Sequence, residues 1–327
     1  MSHAMNVDIL FADHSFPDAP RCLRAAAPDK TFGIRAGAES WQAPVLVPLM
    51  SRITGADMDR VQGLRLIQQW GAGLEGVDLA AASARGIAVA NVPTSQSGGA
   101  DSVAEWCVMS ALVLSRRATE LTGLMRSAGA WGAPMGQAMV GRTACIIGLG
   151  DIGKALAARL APFGMRLIAV SRAPDESAAK SFGCHAAAGF DRLDAELAIA
   201  DYVFLCLPHS PATHHIINAR TLGLMPRHSY LINPGRGGLV DQDALLAAID
   251  AGRLAGCALD VFTPEPLPHE SPLLRRPNIL ATPHIAGITD HTYGQIATRV
   301  AASHAAVAAG RLPANCVNRD QVADKFQ

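Results

Sequence analysis

Aromatic side chains are scarce in this chain, 5% of 327 residues, and charged ones amount to only 17%. With few rings available, the interior has to be built from Ala, Val, Leu and Ile. Half of all residues are apolar, which suits helices packed on a buried parallel sheet. Neither sign of charge is in excess, since Lys plus Arg and Asp plus Glu both number 28. No general attraction to nucleic acid or an anionic membrane follows, so neither is expected as a partner. The seven cysteines, at 22, 107, 145, 184, 206, 257 and 316, form no CxxC pair and several sit in apolar runs. They read as small core hydrophobes in a reducing, cytoplasmic compartment. No stretch approaches the roughly 18 uninterrupted apolar residues of a membrane span, and the N-terminus has no basic-then-apolar pattern.

A length of 327 residues exceeds one domain at roughly 100 to 200 residues each, so two are expected. In the first hundred residues, 7–12, 45–49, 64–68 and 87–90 read as strands, and 55–61 and 78–85 as short helices. Residues 101–126 carry apolar residues at helical spacing, including Val103, Trp106, Leu114, Leu121 and Met125. They predict one long helix able to bridge two domains. A second alternating series follows, with strands near 143–148, 166–170, 202–207, 229–233, 255–259 and 278–281. That is the pattern of a doubly wound parallel sheet. The tail predicts a helix over 293–309 and an extended 315–318.

The run Gly148-Leu149-Gly150-Asp151-Ile152-Gly153 places GxGxxG directly after an apolar strand and at the mouth of a helix over 154–163. Gly148 permits a tight turn, Gly150 lets backbone approach a pyrophosphate, and Gly153 lets helix and strand pack closely. A NAD site normally ends its second strand with an acid that binds the ribose hydroxyls. Here the strand ends in Ser171-Arg172. The missing carboxylate removes repulsion toward a 2′-phosphate, and the guanidinium offers a fixed positive fork for one. NADP(H) is therefore the expected cofactor, with NAD(H) as the second choice.

Three more predicted strands end in polar segments, Asn233-Pro234-Gly235-Arg236, Asp260-Val261-Phe262-Thr263-Pro264-Glu265 and Thr282-Pro283-His284. They supply an arginine, a glutamate and a histidine. Reducing a keto acid needs a cation for the carboxylate or carbonyl, an acid for the nascent alkoxide, and a carboxylate to keep that acid protonated. Glu265, flanked by prolines, has no evident structural ion-pair partner. His209, His214 and His215 lack a carboxylate or cysteine companion at ligand spacing, so they read as surface side chains and no metal is expected. Asp101 and Glu105 read as an acidic helix face.

These segments, together with Gly71-Ala72-Gly73 before Val77-Asp78, Ser102-Val103-Ala104-Glu105 and Leu207-Pro208-His209-Ser210 before Thr213, resemble the D-isomer-specific 2-hydroxyacid dehydrogenase family over nearly the whole chain. The resemblance implies a Rossmann-type doubly wound α/β domain over 101–285. It also implies a smaller flavodoxin-like α/β substrate domain made of 1–100 and 286–327, with the active site in the cleft between the two. Arg236 would clamp the substrate carboxylate, His284 would carry the proton, and Glu265 would bond His284 and raise its pKa. Backbone amides around Ala72 and Gly73 would cradle the carboxylate. Asp151 and Ile152 are implied at the pyrophosphate, and Asp260 at the nicotinamide carboxamide. Cys206, Pro208, Thr213 and Gly235 would line the adenosine and nicotinamide sides, with Gly287 beside the ring. The expected partner is a small 2-keto or 2-hydroxy acid, of glyoxylate or hydroxypyruvate type, and the expected assembly a homodimer.

Two departures stand out: Ser171-Arg172 in place of the acid, and Gly98-Gly99-Ala100 where many members carry Gly-Asn-Ala. The first speaks against an NAD-dependent phosphoglycerate dehydrogenase, which stays open as an alternative, as does a dinucleotide-sensing corepressor of the same fold. Glu265 speaks against a formate enzyme, and the absence of lysine near Ala72 against a phosphite enzyme.

Overall fold

The computed structural model describes residues 5–35, 40–126 and 131–326. Its chain divides into two compact units, one of Met1–Gly99 with Thr289–Gln327 and one of Ala100–Ile288. Among the described residues no helix is long and apolar enough to cross a membrane.

In the first unit, β1 (Ile9–Phe11), β2 (Phe32–Ile34), β3 (Val45–Val47), β4 (Leu66–Gln68) and β5 (Ala88–Ala90) form an all-parallel sheet in the order β2-β1-β3-β4-β5. That is the flavodoxin-like order. Leu10, Leu46, Ile67 and Val89 are fully buried in its core. Two short helices follow from local signals. Thr54 and Asp57 form a reciprocal capping box at α1 (Gly55–Asp59), and Asp78 caps α2 (Leu79–Ala84) through the Ala81 amide. A long helix, Asp290–Ala308, packs against the helix Ala19–Ala26 and against β4. The strand Phe32–Ile34 and the helix Ala19–Ala26 have no counterpart in the sequence reading. Residues 315–318 hold no strand; Cys316 makes a single bridge to Ala90.

The second unit opens with α3 (Gly99–Ser115) and α4 (Ala118–Arg126), not one continuous helix. Arg117, at φ +54, takes the left-handed conformation between them and chelates Glu120 through Nε and Nη2. The apolar spacing misled because Leu121 and Met125 are exposed, at 39% and 67%, and carry no core face. A seven-stranded parallel sheet follows: β6 (Thr143–Ile147), β7 (Arg166–Val170), β8 (Ala186–Ala188), β9 (Tyr202–Leu205), β10 (Tyr230–Asn233), β11 (Gly256–Leu259) and β12 (Ile279–Ala281), in the order β8-β7-β6-β9-β10-β11-β12. The order reverses at β6, where doubly wound sheets bind their ligands. Cys145, Ile147, Val203, Leu205, Leu231 and Cys257 bury one face of the sheet, and Ile146, Phe204, Ile232 and Ala258 the other. The edge strand β8 is three alanines, with no β-branched or aromatic residue to announce it.

Candidate active site

The turn after β6 is built for close backbone approach. Gly148 sits at φ +99, and a Cβ there would fall 2.3 Å from the Cys206 carbonyl oxygen. A Cβ at Gly153 would fall 2.1 Å from the Gly148 carbonyl oxygen, so only glycine lets α5 (Asp151–Leu160) pack on its own turn. Gly150, by contrast, has nothing within 4 Å of where its Cβ would stand. It is also the N-cap of α5 and offers no side-chain cap. Open space at a helix N-terminus whose N-cap is glycine fits a pyrophosphate, with the Asp151 and Ile152 amides in the first turn. At the end of β7, Ser171 donates its amide to the Ala188 carbonyl at 3.0 Å. Arg172 is exposed. The next acid along the chain, Asp175, is engaged as the cap of the helix Glu176–Ser181, accepting the Ala178 amide at 2.9 Å.

The loop after β9 is tied by Thr213, whose hydroxyl donates to the Pro208 carbonyl at 2.9 Å and accepts the Ser210 amide at 2.8 Å. Cys206 is buried at the strand end, and Pro208 is exposed. The loop's histidines cluster: His209 Nε2 lies 3.1 Å from His214 Nδ1, and the His214 and His215 rings stack at 3.8 Å. Among the described residues no group of three or more His, Cys, Asp or Glu is placed to hold a metal. Asp101 and Glu105 both reach Arg159, at 2.9 and 3.2 Å, so the acidic face of α3 is partnered.

Beyond β10, β11 and β12 the three polar segments converge. His284 Nδ1 lies 3.0 Å from Glu265 Oε2, and Glu265 Oε1 accepts the Phe262 amide at 2.7 Å. Burial alone would raise the Glu265 carboxyl. The His284 bond and charge, the Phe262 amide and the Arg236 charge outweigh it and hold Glu265 below the ordinary glutamate value. Arg236 donates to the Gly235 carbonyl at 2.8 Å and stands close enough to bear on Glu265 electrostatically. Its loop is pressed onto the glutamate's loop, for a Cβ at Gly237 would fall 2.1 Å from the Phe262 carbonyl oxygen.

Sequence reasoning assigned Asp260 to the cofactor and missed what its carboxylate does within the protein. Oδ1 accepts Thr282 Oγ1 at 2.6 Å and the Ile285 amide at 2.8 Å, and Oδ2 accepts the Ala286 amide at 2.7 Å. The Asp260 carbonyl takes the His284 amide at 2.9 Å. This clamp holds His284 at φ +56, a left-handed conformation that costs a histidine about 1–3 kcal/mol. Burial pushes the Asp260 carboxyl above the ordinary aspartate value, against the lowering effect of the Thr282, Ala286 and Ile285 bonds and the His284 charge. Gly287, next along the loop, lies beside Val103.

Two further clamps were also missed. Asn233 accepts the Gly235 amide and donates to the Arg236 carbonyl, both at 3.0 Å. Gln242 brackets Thr263, donating to its carbonyl at 2.6 Å and accepting its amide at 3.1 Å. Nothing periodic marks such residues: Asn233 is the polar end of a buried strand, and Gln242 opens the helix Gln242–Asp250 with no local signal.

Ala72 and Gly73 lie in the first unit, on the loop after β4, where Gly71 takes φ +119.

Residues 108–286 match the family model described as D-isomer specific 2-hydroxyacid dehydrogenase, NAD binding domain. The glyoxylate/hydroxypyruvate reductase B of Yersinia enterocolitica is 38% identical over 286 residues, 85% of this chain and 84% of that protein. Among solved structures, the D-lactate dehydrogenase of Aquifex aeolicus, complexed with NAD and lactic acid, aligns at a TM-score of 0.77 with 25% identity, covering 97% of this chain and 98% of that one. A D-isomer specific 2-hydroxyacid dehydrogenase of Xanthobacter autotrophicus Py2, in complex with NADPH and MES, aligns at 0.69 with 27% identity over 96% and 99%. With the glycine turn, the glutamate–histidine pair and a family match over more than half its length, the chain belongs to the D-isomer specific 2-hydroxyacid dehydrogenases.

Proposed function

We propose that the protein reduces a small 2-keto acid of glyoxylate or hydroxypyruvate type to the D-2-hydroxy acid, with NADPH preferred and NADH as the second reductant. The observation that carries this reading is the Glu265–His284 pair at 3.0 Å, set on the sheet that also bears the Gly148–Gly153 turn. A bound nicotinamide supplies the hydride that C2 receives. Arg236 binds the substrate carboxylate and polarises the carbonyl. His284, with Nδ1 committed to Glu265, presents Nε2 and delivers the proton to the C2 oxygen. Glu265, ionised, orients the imidazole and offsets its positive charge. The amides of Ala72 and Gly73 receive the carboxylate.

The Asp151 and Ile152 amides hold the pyrophosphate at the mouth of α5, and Asp260 Oδ2, which accepts one amide, has acceptor capacity left for the nicotinamide carboxamide. Cys206, Pro208, Thr213, Gly235 and Gly287 line the dinucleotide. Ser171 and Arg172 receive the 2′-phosphate, and the lack of an acid at the end of β7 supports the choice of NADPH. A homodimer in a reducing cytoplasm completes the proposal, in keeping with seven free thiols and with exposed apolar side chains at Met125, Trp131, Met135 and Val140.

Steady-state assays of glyoxylate, hydroxypyruvate and pyruvate with each reductant test the reading. The expected result is at least a tenfold higher kcat/KM with NADPH, about 1.4 kcal/mol, reversed toward NADH in Arg172→Asp. Equal efficiency with both reductants overturns the cofactor assignment. Tight dinucleotide binding without turnover of any keto acid overturns the enzymatic one.

A further inference from the structure

The loop after β4 owes its shape to the strand beside it. Val92 donates its amide to the Gly71 carbonyl at 2.8 Å, and the Asn91 side chain donates Nδ2 to the Ala72 carbonyl at 2.7 Å. A trans peptide is planar, so its carbonyl and the amide that follows point in opposite directions. Anchoring the Gly71 oxygen therefore turns the Ala72 N–H away from Val92. Anchoring the Ala72 oxygen likewise turns the Gly73 N–H away from Asn91. Among the described residues neither of these amides donates to a protein acceptor, and both face away from 91–92.

The anchor is itself firmly seated. Asn91 follows β5 directly, between Ala90 and Val92, which are 0% and 1% exposed. The Gln69 amide bonds the Ala90 carbonyl at 2.8 Å, and Gln69 Nε2 bonds the Leu49 carbonyl at 3.1 Å, closing the other side of the loop. Gly71, at φ +119, provides the bend that brings both carbonyls toward 91–92. Val92 contributes only backbone. Asn91 contributes a side chain, so the plane of the Ala72–Gly73 peptide depends on the identity of that residue.

We infer that Asn91 is a positioning residue: its side-chain amide fixes the Ala72–Gly73 peptide plane and so aims the Gly73 N–H at the substrate carboxylate. The inference rests on the reading that this loop receives the carboxylate. Asn91→Asp keeps the shape, removes the donor and sets a carboxylate oxygen against the Ala72 carbonyl, so the peptide plane is released or turned.

The test compares wild type and Asn91→Asp with glyoxylate and with its uncharged methyl ester, together with KM for NADPH and the thermal midpoint. The expected result is a roughly tenfold rise in KM for glyoxylate. KM for the ester, KM for NADPH and Tm stay at wild-type values, a split that a purely structural role does not produce. An equal penalty on acid and ester, or a lowered Tm with both KM values raised, overturns the inference by showing a general staple. Unchanged KM for glyoxylate overturns it directly. Gly73→Pro, which deletes the amide itself, separates the two failures. If it raises KM for glyoxylate while Asn91→Asp does not, the loop receives the carboxylate and Asn91 does not aim it. If neither variant moves KM for glyoxylate, the reading of the loop fails and the inference with it.

Discussion

The two functional regions of the larger sheet present their groups by opposite means. After β6 the protein works by omission: glycine at 148 and 153 leaves out side chains so that turn, strand end and helix pack closely, and glycine at 150 leaves the space before α5 open. After β10, β11 and β12 it works by addition, since Asn233, Gln242 and Asp260 each hold a loop in place with two or more hydrogen bonds. A polyanion recognised by backbone tolerates few atoms in its way. A proton donor has to be held within about 0.5 Å of its productive position, and that takes many contacts. The first region is sensitive to any atom gained, the second to any hydrogen bond lost.

Substitutions in either region sharpen the contrast. The largest effect is expected from His284→Ala, which removes the proposed proton donor: kcat for keto-acid reduction falls by about 10²–10⁴, with the dinucleotide Kd unchanged in a fluorescence titration. A loss of dinucleotide binding in this variant would break the division between the regions. Gly153→Ala, adding a Cβ 2.1 Å from the Gly148 oxygen, forces α5 off its turn. Overpacking of this kind costs about 1–3 kcal/mol, so Tm falls and the dinucleotide Kd weakens, both readable by thermal denaturation with and without NADPH.

The smallest effect concerns pH. Glu265 has its folded-state value depressed, so the stability it contributes is fully present above its unfolded value, near pH 4.3, and is lost as pH falls through the lower folded value. Urea unfolding of wild type and Glu265→Gln should therefore differ most at neutral pH and converge in acid. A gap that widens toward acid would mean that Glu265 is not held ionised by its neighbours.

Much of this was legible beforehand. The six strands read in the second half are all present, because parallel strands covered on both faces need short continuous runs of Val, Ile, Leu and Ala bounded by turn residues. The alanine strand β8 was illegible for the converse reason. Residues 101–126 failed because apolar spacing tells of a helix but not of which apolar residues are covered. Arg236, Glu265 and His284 could be picked out as reactive types at strand ends, and the structure brings the glutamate and histidine into contact. The clamps of Asn233, Gln242, Asp260 and Asn91 could not, since their partners are mainly backbone atoms that any sequence supplies. Their roles exist only once the loops are folded.

The left-handed backbone at His284 has a consequence for anyone who would move this chemistry elsewhere. An imidazole and a carboxylate grafted onto another scaffold at the same spacing would relax, because an unassisted histidine prefers an ordinary conformation. What has to be carried across is the whole stretch from Asp260 to Ala286, with the aspartate that grips its far end. The smallest portable piece of this active site is a loop closed on itself, not a pair of side chains.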